Sequence, residues 1–446
     1  MRINMKVVSK LLAFGLLMCV LKSSSAQDVF PPEEIFSFGM QLGTGARAIA
    51  MGGAYTSVGG DFSASFWNPA ALAGIRRIEF YGSLSHLMRQ NRVEFSDIPF
   101  NPTINENEEN FTRFNDLGLA YPVPTQQGSL VFSFGYNRVK SYDSNFDFRA
   151  FNFSPDDSVN QAWKELETGS LNTWTAAGAM AVSPNMSVGI GLNFWTGGSD
   201  FQSTFREVDI DDIYADFENF TRNDGLDTNI SGFNVKIGGL IKLPLLRLGA
   251  TISTPITFKV KEDFFTSEKL LDDNLDLAEE FFDEGFFEYR IKSPWTFTGG
   301  ASLNLLNFVF SGDLEYNDWT QIKYKSEPPF SGVTETEANL SIRDNYRATT
   351  RIRLGGEFTL PLTGLSFRAG YFRDPSIFKD VSSDEDKQFY SAGIGFLVDK
   401  QVRLDVAFVH GFWKNFNQGL PGTDDINDYV EDIKVNKAFV SLAFRL

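Results

Sequence analysis

Apolar and polar positions alternate along much of this chain. In residues 351–358, Ile352, Leu354, Gly356 and Phe358 take one face, while Arg351, Arg353, Gly355 and Glu357 take the other. Residues 308–316 set Phe308, Phe310, Leu314 and Tyr316 against Ser311, Asp313 and Glu315. Residues 402–408 set Val402, Leu404, Val406 and Phe408 against Arg403 and Asp405. A period of two, with aromatics near the segment ends, predicts β-strands. Fourteen are predicted, near 76–88, 114–122, 129–143, 172–183, 185–198, 230–243, 245–260, 289–305, 306–324, 338–361, 364–374, 386–399, 400–416 and 432–446.

The connections fall into two alternating sets. Six are short: 122–129, 183–185, 243–246, 305–307, 361–364 and 398–400. The others are long, acidic and rich in Asn and Phe: 89–113, 144–171, 199–229, 261–288, 325–337, 375–385 and 417–431. An even strand count with short turns on one side and long loops on the other predicts an all-β fold, a transmembrane antiparallel β-barrel. Closure also satisfies every backbone group in lipid and leaves no sheet edge.

Composition narrows the reading. The 446 residues include 45 Phe, yet mean hydropathy is only −0.17, so helical membrane spans are excluded. Acids outnumber bases 57 to 40 and the net charge is −17, which predicts no nucleic-acid partner. At the N-terminus, Arg2, Lys6 and Lys10 precede the apolar run 11–21, and Ser24, Ser25 and Ala26 are small. This predicts a signal peptide over 1–26, cut before Gln27, and hence export. The single cysteine, Cys19, lies inside that run, so neither a disulfide framework nor a cysteine metal site is expected.

Residues 27–75 break the alternation. They are rich in Gly and Ala and run Gly43, Gly45, Arg47, then Met51, Gly52, Gly53 and Ala54, then Asp61, then Trp67, Asn68, Pro69 and Ala70. Small residues allow close backbone packing, as suits a segment folded inside a barrel lumen. The domains expected are thus a signal peptide (1–26), a plug or hatch (27–75) and a barrel (76–446). The Gly43-x-Gly45-x-x-Ala48 spacing lacks the preceding apolar strand that a dinucleotide site requires.

The run from Gly45 to Ala73 resembles the N-terminal hatch of the FadL family, outer-membrane transporters of long-chain fatty acids and aromatic hydrocarbons. Residues 294–301, 313–319, 354–358 and 367–371 are similar to later landmarks of that family, in matching order. Barrels of the PorV type, which serve protein secretion, share a similar N-terminal run. The FadL resemblance implies a plugged fourteen-stranded barrel in the outer membrane of a Gram-negative bacterium. Substrate would be captured by loops, pass as the plug shifts and leave sideways through the wall. The partners implied are hydrophobic small molecules or lipids, with outer-membrane lipid and lipopolysaccharide around the barrel. The alternative is a PorV-like barrel partnered with a secretion system.

Nothing along the chain suggests catalysis. His86 and His410 sit alone in predicted strands, no nucleophile elbow is present, and no metal or cofactor is expected. Two features carry the binding chemistry. In 261–288, Phe264, Phe265, Leu270, Leu271, Phe281, Phe282, Phe286 and Phe287 stand among acids. Leu270, Leu271, Leu275, Leu277, Phe281 and Phe282 follow a roughly helical spacing, which fits either a loop helix packed on its neighbours or an apolar capture groove. Burying a CH₂ there is worth about 0.8 kcal/mol. The second feature is a set of inward charges: Lys236, Asp313, Glu315, Arg351, Arg353, Glu357, Arg368, Arg403 and Asp405. These either pair across strands or guide a polar head group. A hairpin centred on the 361–364 turn sets Glu357 against Arg368 and Arg351 against Asp374, leaving Arg353 without a partner and suited to a substrate carboxylate.

Overall fold

The computed structural model describes residues 35–36, 39–95, 105–154, 157–214, 217–330, 332–398, 401–417 and 429–446. The signal peptide expected over 1–26 lies outside the described residues. Alternation yields the strands β1 (Glu79–Phe95), β2 (Asn105–Val123), β3 (Leu130–Ser141), β4 (Ser144–Ser154), β5 (Asp157–Ser183), β6 (Met186–Asp209), β7 (Asn219–Lys242), β8 (Leu246–Ser253) and β9 (Thr257–Leu271). Then follow β10 (Leu277–Lys292), β11 (Thr296–Leu305), β12 (Phe308–Asp318), β13 (Lys323–Tyr324), β14 (Ala348–Thr359), β15 (Leu365–Asp374), β16 (Lys387–Val398), β17 (Val402–Asn417) and β18 (Tyr429–Arg445).

All neighbours pair antiparallel, and β1 closes onto β18 from Glu79↔Arg445 to Phe95↔Tyr429. Four staves are interrupted (β3/β4, β8/β9, β10/β11, β12/β13), so the segments form a closed barrel of fourteen strands, the number the alternation predicts. Pro255 and Pro294 lie in two adjacent breaks, where neither can donate to the ladder. Backbone bonding resumes with Ser293 N donating to Ile256 O at 2.8 Å.

Side-chain facing follows the period of two. On β14, Ile352 and Leu354 are exposed while Arg351 and Arg353 are buried. Phe132, Phe134, Ile190, Phe194, Leu314 and Phe408 belong to a continuous exposed apolar band beside the short turns. Such a band has no counterpart on a protein solvated by water; it requires lipid.

Three expectations need correction. The segments 89–113, 144–171, 199–229 and 261–288 are not mainly loops, because their strands run well past the apolar band. The loop helix expected within 261–288 is absent: β9 and β10 form a hairpin closed at 272–276. Extending an existing ladder from β7 needs no nucleus, whereas a short helix must form one. Conversely, the strand expected over 338–361 starts only at Ala348, and Glu335–Asn345 is a helix, α1. Thr334 and Glu337 cap it reciprocally, and Ala338 and Ile342, four apart, turn inward together.

The N-terminal residues 39–75 run along the inward faces of the strands as short helices Ala46–Ala50 and Ala64–Trp67 and a 3₁₀ turn Pro69–Gly74. Gly52 has φ of +62°, and a Cβ there would stand 2.6 Å from Leu354 O on the barrel wall. Only glycine fits this approach.

Candidate functional site

The N-terminal segment is tied to the wall by charge-assisted hydrogen bonds. Arg47 donates to Glu357 on β14 through Nη2 at 2.6 Å and Nε at 2.8 Å. Asp313 on β12 accepts from Tyr55 N and Thr56 N, both at 2.8 Å, and Glu79 accepts from Phe62 N at 2.7 Å. Asn68 caps the 3₁₀ turn by accepting from Ala70 N at 3.0 Å, with Pro69 at the first position, and donates to Gly239 O on β7 at 3.1 Å. Trp67 Nε1 donates to Thr44 O at 2.9 Å, and Gly43, at φ +84°, leaves room for its ring. Gly45 and Gly53 also have positive φ, and a Cβ on Gly53 would stand 2.8 Å from the Trp67 ring.

Among the described residues the inward arginines pair with carboxylates, with one correction to the expected partners, whereas Lys236 and Asp313 bond to backbone groups instead. Glu357 faces Arg368, whose Nε donates to it at 2.6 Å, and Arg351 Nε donates to Asp374 at 2.5 Å, both as the hairpin register predicts. Arg353, expected to lack a partner, has one. Its Nη1 donates to Glu315 on β12 at 3.1 Å, and its guanidinium lies over the Trp67 ring at 5.5 Å. The hairpin reading considered β15 alone, whereas β14 has a second neighbour in β12. Arg368 also pairs with Asp405 at 2.9 Å, and Arg403 Nε with Asp405 at 2.9 Å.

Beside this network lies an internal cavity of about 140 Å³. Phe36, Phe66, Trp67, Trp195, Phe258 and Trp319 supply aromatic wall. Lys140, Lys236, Arg351 and Arg353 also line it, against the single carboxylate of Glu315. Lys236 Nζ donates to Phe66 O at 2.5 Å and lies 4.7 Å from that ring's centroid; Lys140 Nζ donates to Ile35 O at 2.8 Å. Among the described residues neither ammonium forms an ion pair with a carboxylate. Sequence reasoning picked out Lys236 but missed Lys140 and most of these aromatics. For Lys140, Trp195 and Phe258 the signal is inward parity on β3, β6 and β9, spread over more than a hundred residues.

The eight apolar residues of 261–288 do not share one groove. Phe264 stacks on Phe287 with centroids 5.2 Å apart, and Phe287 packs on the apolar cluster that covers the lumen. Leu270 and Leu271 pair with Phe220 and Asn219 of β7. Phe265, Phe281, Phe282 and Phe286 are exposed, and alternation along β10 sets Phe282 and Phe286 on the face opposite Phe281 and Phe287.

The wall itself has a discontinuity. The β2–β3 ladder stops at Asp116↔Asn137, and above it β2 pairs with β1 alone. Met40 takes the vacated edge of β3: its N donates to Ser141 O at 2.8 Å and its O accepts from Ser141 N at 3.0 Å. Arg113 on β2 reaches Asp143 at 2.7 Å across the gap. Val139 and Lys140, beside the gap, line the cavity.

A family profile described as "Outer membrane protein transport protein (OMPP1/FadL/TodX)" matches residues 38–438. The chain belongs to this family. The solved toluene transporter TodX of P. putida covers 91% of the chain and 99% of its own length, at 13% identity and a TM-score of 0.63. A Pseudomonas aeruginosa FadL homologue gives 14% identity and a TM-score of 0.57, covering 91% and 99%. The CymD monoaromatic hydrocarbon channel gives 12% identity and a TM-score of 0.53, covering 91% and 98%. No curated protein matches the chain. Membership makes the protein a FadL/TodX-type transporter of hydrophobic compounds in the Gram-negative outer membrane, and not an enzyme. The secretion-partner alternative receives no support from these likenesses.

Proposed function

We propose that this FadL/TodX-type barrel admits amphipathic monocarboxylates of the long-chain fatty-acid type, passively and without a cofactor. The observation that carries the reading is the internal cavity. An aromatic wall suits an acyl chain, and the ammonium groups of Lys236 and Lys140, without carboxylate partners among the described residues, suit its head group. Solute is caught at the outer hairpins, including the exposed Phe282 and Phe286. Residues 39–75 act as the plug, held by Arg47, Asn68 and the contacts of Tyr55 and Thr56 with Asp313. Exit is sideways between β2 and β3, where the ladder ends and Met40 stands in for a strand.

A neutral monoaromatic compound is the second reading, favoured by the aromatic lining and by the transport activities named for TodX and CymD. Mass spectrometry of compounds retained by the detergent-purified protein separates the two. Long-chain carboxylates retained by the native protein and lost from Lys236→Met support the first reading; retention of neutral compounds by both overturns it.

A further inference from the structure

A second cavity, about 100 Å³, lies in the outer mouth, beyond the apolar band and apart from the first. Its walls come from β1, β4, β5, β6, β7, β17 and β18. Three carboxylates line it (Glu165, Glu167 and Glu431), against the single cation of Arg89. Glu431 is supplied with donors, Asn91 at 2.6 Å and Asn415 at 3.1 Å. Asn145 is different. It lines the cavity at only 6% exposure, and its Oδ1 has no hydrogen-bond partner among the described residues. A buried amide oxygen left unmade costs about 1–3 kcal/mol, so its place beside three carboxyl groups, anionic once ionised, calls for a donor that is also a cation.

We propose that this outer cavity binds a small organic cation, a primary ammonium carrying a short apolar group. Three N–H donors reach acceptors of the kind gathered here, Asn145 Oδ1 and the carboxylates of Glu165 and Glu167. The apolar part lies against Phe146, Phe201 and Leu226, which complete the wall. A bare metal ion fits less well. Among the described residues no three His, Cys, Asp or Glu side chains converge to hold one, and the aromatic wall offers it nothing. The two cavities therefore gather opposite kinds of ionisable group, cations deep in the lumen and carboxyls at the mouth.

Titration calorimetry of the full-length protein in detergent, with n-butylammonium chloride at about pH 9, where Glu165 and Glu167 have lost the protons that burial holds on them and the amine is still an ammonium, tests the site. Saturable binding is expected, at least about tenfold weaker in both Glu167→Gln and Asn145→Leu, with none for n-butanol. Two variants are used so that a failure of one to fold, read from its heat-modifiability, leaves the other informative. Binding that does not saturate, that survives both substitutions, or that n-butanol reproduces overturns the assignment. So does calcium chloride binding more tightly than the amine, which makes this a metal site. Fatty-acid binding at the inner cavity, measured in the same samples, is expected to be unchanged.

Discussion

Arg47 and Glu357, 310 residues apart in sequence, form a two-pronged ion pair between the N-terminal segment and the barrel wall. Glu357 also receives Arg368 at 2.6 Å and stands 3.8 Å from Arg403. Removing either partner is therefore not equivalent. Without Arg47, Glu357 keeps two cations; without Glu357, three guanidinium groups crowd a buried site.

Glu357→Ala should accordingly lower the temperature of heat-modification in SDS more than Arg47→Ala does. Removing one partner of a buried pair costs about 3–5 kcal/mol, and the retained arginines should hold Arg47→Ala below that range. If residues 39–75 plug the lumen, both variants should raise single-channel conductance in planar bilayers. Equal stability losses, or conductance unchanged in both, would contradict the arrangement.

The head-group reading separates Lys236 from Arg353. Among the described residues Lys236 is held by a carbonyl and a ring and forms no ion pair, whereas Arg353 is paired with Glu315 and lies over the Trp67 ring. Lys236→Met is expected to weaken binding of a fatty acid about tenfold or more and to leave its methyl ester unaffected. Arg353→Ala should mainly lower thermal stability. Fluorescent-probe displacement with the acid and the ester checks both.

At the outer hairpin, exposure divides the aromatics into two groups. Phe282 and Phe286 are 59% and 53% exposed, while Phe287 packs on Phe264 and the lumen-covering cluster. Replacing Phe282 and Phe286 together by Ser should slow uptake of an apolar ligand into proteoliposomes without changing heat-modifiability. Phe287→Ser should destabilise the hairpin, seen as proteolysis within β9 and β10.

The sequence made the barrel legible because lipid outside and a polar lumen inside impose a strict period of two. Turn chemistry then sorted the short side from the long. The long side was misread where strands outgrew the membrane: beyond it no lipid enforces alternation, and the mixed acids and phenylalanines of 261–288 fit either period. The misreading of 338–361 has the same origin, since Ala338 and Ile342 satisfy a helix while Leu340 and Ile342 mimic a strand. Within the site, the charges of a single hairpin were readable from its turn. The partner of Arg353 was not, because β12 and β14 are separated by α1 and its flanking loops. The cavity gathers Ile35, Lys140, Trp195, Lys236 and Phe258, which no local pattern links.

Stability of the outer mouth should depend on pH with a definite sign. Burial first, and neighbouring acids for Glu165, push Glu165 and Glu167 from 4.5 up to about 8. Between those values the folded chain holds protons that the unfolded chain has released, so stability falls as pH rises through the window and levels off above it. Heat-modification temperature is expected to drop from pH 5 to pH 8 by more in the native protein than in Glu165→Gln/Glu167→Gln. An identical pH profile in the double variant would remove these groups from the account.

The last prediction concerns the gap between β2 and β3. Below Asp116↔Asn137 the two strands pair normally; above it β3 bonds to Met40 instead. Gly39, at φ +75°, permits that contact, since a Cβ there would stand 2.3 Å from Ser141 O. Arg113 and Asp143 close the outer end of the gap at 2.7 Å, and Arg138 supports Asp143 at 2.8 Å. If solute leaves here, tightening the seam must slow transport without touching the cavity. Replacing Arg113 and Asp143 by cysteines and joining them with a bifunctional maleimide whose spacer holds a reducible disulfide should reduce fatty-acid uptake by proteoliposomes, reversibly with a reductant, while equilibrium binding stays constant. Removing the latch with Asp143→Ala should do the opposite. Arg138 and Arg113 then face each other without their shared carboxylate, and their repulsion favours the open seam. Faster uptake with unchanged affinity is the expected result; uptake insensitive to both changes would mean that solute leaves the lumen by another route.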